Sequence, residues 1–250
     1  MFWIVFLFLF PRMVVAQENV PELRKRTDTV QVCPVYAQWA VPALLVTCGV
    51  AARFNETPLR RFDKYVEKKV DEYIQRRYSV DDYLQYAPAV VAFGLDFMQG
   101  VDSRHNLRDR MLLFATSYVI TGAVVNSMKG TISVWRPDRS ADNAFPSGHT
   151  AVAFTGAHLL YKEYKDLSPW IGVGGYAAAT ATGVLRVVNR RHWVSDVVMG
   201  AGIGILSVEA ACLMLPVWHR LLGIGNGGER MAFLPSVNTY GVGIGWIYVF

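Results

Sequence analysis

The chain has 250 residues, 52% of them apolar and only 18% charged, with a formal net charge of +5. Soluble domains carry about 25% charged residues, so this composition excludes a disordered polyampholyte and argues against an ordinary soluble enzyme. The mean hydropathy of +0.23 is too low for helices facing lipid along their whole length, and the basic balance fits nucleic acid, anionic lipid or an anionic substrate without choosing among them.

Met1 to Phe10 is an apolar run (MFWIVFLFLF) too short to cross about 30 Å of hydrocarbon. Val14 and Ala16 follow where small residues precede a cleavage, so residues 1–16 read as a secretory signal peptide, although the first basic residue is only Arg12. Residues 17–34 form a polar arm. The stretch 35–54 is apolar and contains Pro42. Over 55–82, Phe62, Tyr65, Val66, Val70, Tyr73 and Ile74 recur at helical spacing opposite Lys and Arg, the pattern of an amphipathic helix lying on a membrane surface. Asn55-Glu56-Thr57 is a glycosylation sequon by its letters alone.

Further apolar segments lie near 83–101, 111–128, 148–161, 170–188 and 196–218. Small residues such as Ala178 and Gly202 crowd the last two and allow the close backbone approach that lipid-embedded helices use. In soluble helices each such glycine costs about 1 kcal/mol relative to alanine. The expected fold is therefore all-α: a membrane-embedded bundle over 35–220 with about six apolar helices and one amphipathic interfacial helix. In the tail, 221–250, Gly241, Gly243 and Gly245 alternate with Val242, Ile244 and Trp246, a period of two that predicts a short extended segment. Cys33, Cys48 and Cys212 are too dispersed for a metal or disulfide framework.

Three polar clusters sit at ends of apolar segments. Lys129 and Arg136 are seven residues apart, so on a continuing helix they would share one face until Pro137 stops it; together they would clamp an anion. In Pro146-Ser147-Gly148-His149, Ser147 is a good N-cap, Gly148 allows a ligand near the backbone, and the first amides of the next helix favour an anion beside His149. In the third cluster Arg186 supplies another cation, and His192 and Asp196 are four residues apart, so on a helix the carboxylate would hold one imidazole nitrogen and leave the other as an outward lone pair. Such an imidazole is a nucleophile. No further ligand accompanies it at helical spacing, so a metal is disfavoured. Three cations, two histidines and a carboxylate are the parts that phosphoryl transfer requires.

K-x6-R-P, P-S-G-H and R-x5-H-x3-D, in this order from Lys129 to Asp196, resemble the tripartite signature of the type 2 phosphatidic-acid phosphatase superfamily. The motifs occupy about a quarter of the chain, and the helical pattern extends the likeness over most of 35–218. The resemblance implies that His192 attacks phosphorus to form a phosphohistidine and that Asp196 orients it. His149 would protonate the leaving alkoxide and then activate water, while Lys129, Arg136, Ser147, Gly148 and Arg186 hold the phosphate without a metal or other cofactor. It further implies a phosphorylated membrane lipid as substrate and the bacterial inner membrane as location, with the site facing the periplasm. Candidate substrates are lipid A phosphate, undecaprenyl pyrophosphate and phosphatidylglycerol phosphate. Leu185 stands where the family commonly has serine, removing one minor phosphate contact. Transfer to another acceptor, a non-catalytic lipid-phosphate binder and a soluble acid phosphatase are the rival readings. A nucleic-acid partner is disfavoured because the cations gather at helix ends.

The remaining polar residues have plainer readings. His105 sits in a charged connector and is expected to be solvated, His158 to be packed, and His219 to mark a helix end. Arg190 and Arg191 flank His192, and Asp138, Arg139 and Asp142 would shape access. Trp135 and Trp193 would anchor at the interface. The connectors 129–147 and 187–195 are expected at one end of the bundle, and 102–110 and 162–169 at the other. A cleaved leader would place Gln17 outside, which conflicts with an outward site if both 35–54 and 83–101 cross the membrane.

Overall fold

A computed structural model describes residues 35–74, 76–95, 101, 103–223, 230–238 and 241–249. The leader and the polar arm expected over 1–34 lie outside the described residues. Helix α1 spans Val35–Phe54, α2 Pro58–Tyr73, α3 Asp81–Leu84, α4 Ala87–Gly94, α5 Leu107–Thr131, α6 Gly148–Tyr164, α7 Pro169–Val188 and α8 Val194–Leu221.

Local chemistry sets the helix starts. Thr57 caps α2 by accepting from the Arg60 amide at 3.3 Å, and Pro58 fits the first turn, where its missing N–H is not needed. Asn106 caps α5 by accepting from the Asp109 amide at 2.9 Å. Helix α2 has the expected amphipathic character: Phe62, Tyr65 and Tyr73 stay exposed, while Asp63 and Val70 are buried. The apolar segment near 83–101 begins differently from expectation. Its first part is the single turn α3, separated by Gln85 and Tyr86 from α4. Among the described residues, α5, α7 and α8 are long and apolar enough to cross a membrane, and Gln38–Phe54 is a shorter apolar helix.

Helix α8 packs against α1, α5 and α6. Its glycines explain how. A Cβ built on Gly200 would lie 2.5 Å from Ser147 O, one on Gly202 2.9 Å from Val46 N, and one on Gly204 2.5 Å from Ala151 O. The α8 backbone thus rests directly on α6 at two positions and on α1 at a third, as the small-residue pattern predicts. Two apolar clusters flank these contacts, one around Leu113, Leu159 and Val208, the other around Val125, Phe145, Met199 and Ile203.

This packing brings the connectors 132–147 and 189–193 to the same end: Ser147 N donates to Asp196 O at 3.0 Å, and Asp138 N to Arg190 O at 3.1 Å. Arg53, near the end of α1, reaches the same place, whereas Gln38 near the start of α1 faces Lys162 near the end of α6. At that other end His105 is not simply solvated. Its Nδ1 pairs at 2.8 Å with Glu163, whose side chain is fully buried, because Glu163 also accepts from the His105 amide. His158 is packed as expected, between the Tyr176 hydroxyl and Glu209. His219 lies in the last turn of α8 and meets Asp109 at 3.0 Å. In the tail, β2 (Gly241–Val249) is the extended segment that the alternation predicts, and it pairs antiparallel with a second strand, β1 (Arg230–Asn238), Arg230 opposite Val249, which the alternation does not announce.

Backbone atoms cannot retreat as a side-chain tip can, so overpacking at Gly204 costs about 1–3 kcal/mol. Gly204→Ala is expected to lower the thermal midpoint in detergent by several degrees, whereas Gly122→Ala, where nothing lies within 4 Å of a new Cβ, leaves it unchanged or raised.

Candidate active site

The first cluster is not built on one helix. α5 ends at Thr131, its hydroxyl bonded back to Ser127 O and Met128 O, and Ile132 is already extended. The chain then pairs with itself: Val134 N donates to Asp142 O at 2.7 Å and Ala144 N to Val134 O at 2.9 Å. This pairing ends the helix six residues before Pro137 could, and it takes Arg136 off the face of Lys129. Asn143 rejoins the two cations. Lys129 Nζ donates to its backbone oxygen at 2.6 Å, and an Arg136 guanidinium nitrogen to its side-chain oxygen at 2.9 Å.

Ser147 occupies the N-cap of α6, but its hydroxyl bonds to the Thr150 hydroxyl at 2.9 Å and caps no amide. Gly148 opens the helix. A Cβ there would meet Val125 and Lys129 only at ordinary contact distances of 3.6 and 4.0 Å, so the protein's own packing does not demand glycine. His149 follows with its side chain 31% exposed, and its Nε2 lies 3.0 Å from Asp82 Oδ1.

His192 lies in the connector before α8, not on it, so the stacking expected of residues four apart on a helix does not arise. Its Nδ1 is 2.7 Å from Ala144 O. A carbonyl only accepts, so Nδ1 carries the proton and Nε2 the lone pair. Asp196 stands 3.8 Å from the ring, too far for a hydrogen bond. It is instead the third residue of α8 and accepts the Trp193 amide at 2.9 Å, half of a capping box. The orienting role expected of Asp196 thus falls to the Ala144 carbonyl. Burial holds the His192 imidazole well below its ordinary range, and the nearby Arg186, Lys129 and Arg136 charges push the same way against the Ala144 bond.

Arg186 is not an unpaired cation. Its guanidinium donates to Asp81 Oδ2 at 2.6 Å and lies 3.6 Å from Asp82 Oδ1. Asp81 also accepts from Asn189 Nδ2 at 3.0 Å, and Asn189 exchanges hydrogen bonds with both backbone groups of Tyr78. Two adjacent carboxylates opening an apolar segment were the signal for this in the sequence; Asn143, Asn189 and the Ala144 carbonyl have no such signal. A cavity of about 380 Å³ gathers Asp82, Arg136, His149, Arg186 and Arg191. A larger cleft of about 680 Å³ lies on the other side of Arg136, walled by Trp135, Trp193, Lys64 and Arg139. Burial disfavours the charged form of Arg136, and Arg191 and Arg186 add to this, an imbalance that an anion would relieve.

Residues 110–220 match the family described as the PAP2 superfamily. That stretch belongs to the PAP2 superfamily. The chain is 41% identical over 131 residues to a lipid A 1-phosphatase of Porphyromonas gingivalis, an alignment covering 52% of this chain and 29% of that protein. A bacitracin transport permease protein, BcrC of Bacillus licheniformis, is 25% identical over 143 residues, 51% of this chain and 68% of the relative. Among solved structures, Aquifex aeolicus LpxE aligns with 64% of this chain and 97% of its own at 19% identity and a TM-score of 0.45. The first transmembrane PAP2-type phosphatidylglycerolphosphate phosphatase from Bacillus subtilis aligns with 76% and 87% at 17% identity and 0.34.

The PAP2 stretch contains all three motifs, but residues before it complete the site. Asp63 of α2 accepts from the Ser195 amide at 2.9 Å and the Ser195 hydroxyl at 2.6 Å, and Arg53 of α1 donates to that hydroxyl at 3.0 Å. Asp63 thereby caps α8 from another helix. Arg190 and Arg191 are likewise engaged, with Asp71 and with Ser140 and Asp138 respectively. Trp193 Nε1 donates to Trp135 O at 2.8 Å, and the Trp135 side of the pair stays exposed.

The buried, cation-flanked His192 is expected to remain neutral as pH falls through about 6.5, the ordinary histidine value. Nitrogen NMR of ring-labelled protein in detergent, assigned by loss of a signal in His192→Gln, is expected to show Nε2 unprotonated and Nδ1 protonated at that pH.

Proposed function

We propose that the chain is a membrane lipid phosphatase that hydrolyses a phosphomonoester or pyrophosphate without a metal, through a phosphohistidine on His192. The observation that carries this is the buried imidazole with its Nδ1 bound to Ala144 O and Lys129, Arg136 and Arg186 around it. A neutral imidazole with its lone pair at Nε2 is the form that attacks phosphorus. The three cations, with Ser147 and the Gly148 amide, would stabilise charge on the equatorial phosphate oxygens.

In the first step the Nε2 lone pair forms a bond to phosphorus as the bond to the leaving oxygen breaks, and His149 gives that oxygen a proton. In the second, His149 takes a proton from water, the resulting hydroxide attacks phosphorus, and the P–N bond breaks to return neutral His192 and inorganic phosphate. Asp196 would act through the Trp193 amide, fixing the connector that carries His192.

The spans at α5, α7 and α8 and the amphipathic α2 support a substrate embedded in lipid. The likeness to a lipid A 1-phosphatase ranks lipid A phosphate first among the candidates. We place the active unit at 35–220, in a bacterial inner membrane with the site facing the periplasm. A signal peptide over 1–16 fits that orientation only if α1, which starts at the end opposite the site, does not cross completely.

The purified full chain in detergent is expected to release phosphate from one member of a panel of lipid phosphates and pyrophosphates, equally well with EDTA, and to be inhibited by vanadate. His192→Ala is expected to lower kcat at least about 10³-fold. Full activity in that variant overturns the mechanism. Phosphate appearing on an added acceptor rather than in solution makes the chain a transferase, and fractionation into the aqueous phase without detergent removes the membrane reading.

A further inference from the structure

The charged groups that share a cavity with His149 are mostly cations, set among the neutral Tyr78, Ser79 and Asn189. Arg186 comes from α7, Arg136 from the 132–147 connector and Arg191 from the 189–193 connector, with Arg77 on the segment before α3; all line the same cavity as His149. Lys129 approaches from α5, its Cε 4.0 Å from the Cβ position of Gly148. Burial and the Arg186 charge both favour the neutral imidazole, which weakens an acid, and Asp82 and Asp81 act the other way. The opposing charge comes from α3. Asp82 Oδ1 lies 3.0 Å from His149 Nε2, and Asp81 is committed to Arg186 at 2.6 Å.

The placement of Asp82 is fixed from several sides. Asp81 is fully buried and held by both Arg186 and Asn189, which pins the turn that carries its neighbour. Gln85 Nε2 donates to Asp82 O at 2.8 Å. The Asp82 side chain is 55% exposed and belongs to none of the three motifs, and it lies outside the PAP2 stretch of 110–220.

We propose that Asp82 is a positioning residue for His149, its ionised carboxylate holding the Nε2–H so that Nδ1 is the ring atom that exchanges protons with the leaving group and with water. The inference rests on the phosphatase reading above. In the first step the Nδ1 proton passes to the leaving oxygen, whose electron pair comes from the broken P–O bond. Asp82 stays ionised throughout and changes no bond order.

Asp82→Asn keeps the shape of the side chain and removes its charge. Measured on the lipid phosphate that the full chain hydrolyses, kcat/KM is expected to fall about tenfold or more. Its alkaline limb should move down by about one pH unit, because the acid form of His149 is then held less tightly. Asp82→Glu is expected to restore the limb. In detergent NMR, the His149 ring signals, assigned with His149→Gln, should titrate at lower pH in Asp82→Asn than in the unmodified chain, with no substrate present. An unmoved limb and an unmoved titration overturn the inference. So does a lower KM with raised turnover, which would make Asp82 a stand-in for phosphate that substrate must displace. If the unmodified chain hydrolyses no lipid phosphate, the phosphatase reading fails and takes this role with it; normal turnover with an unshifted His149 sinks the role alone.

Discussion

The hydrogen bond from His192 Nδ1 to Ala144 O is the contact on which the site depends. It ties the connector after α7 to the connector before α6, and because its acceptor is a carbonyl it settles the imidazole tautomer with no ionisable partner. The strand-like pairing of Val134 with Asn143 fixes where Ala144 O lies, and the same pairing sets the bends that carry Lys129 and Arg136 to Asn143. Removing the pairing would therefore misplace an imidazole and two cations together. With the ring held this way, the Asp196 carboxylate is free to cap α8, the helix whose glycines press against α6 beneath Ser147.

Much of the charge balance at the site comes from outside the PAP2 stretch, beside Asp138 and Asp196 within it. Asp81 and Asp82 offset Arg186 and face His149, Asp63 receives Ser195, and Asp71 meets Arg190. Each of these carboxylates lies on α2 or α3, before the first motif. The motif residues supply the cations of the site and α2 and α3 supply carboxylates that meet Arg186 and Arg190, so a fragment containing only 110–220 would leave those two cations without these partners next to apolar helices, a costly arrangement.

Period and composition made the bundle, the amphipathic α2 and the extended tail legible in the sequence. The glycine crowding at 200–206 pointed to close helix contact, and the contact is there at Gly200 and Gly204. The spacing arguments failed where they assumed that a helix continues. Lys129 and Arg136 were one face only on paper, because backbone pairing over 134–144 outcompetes another turn of α5. His192 and Asp196 were a stacked pair only on paper, because α8 starts between them. Partners such as Ala144 O, Asn143 and Asn189 leave no signature, since a backbone carbonyl belongs to every residue and a single amide side chain to many turns. Asp81-Asp82 stand at the head of an apolar segment, but Arg186 is 105 residues on and His149 67, and only the fold brings them together.

The Asp63–Ser195 contact carries a mechanical consequence. Helix α2 exposes Phe62 and Tyr65 on one side and inserts Asp63 beneath the start of α8 on the other. A force on those rings is thereby passed to the turn three residues beyond His192. The exposed face of α2 and the connector that carries His192 are joined through one buried side chain, so neither can shift far without the other.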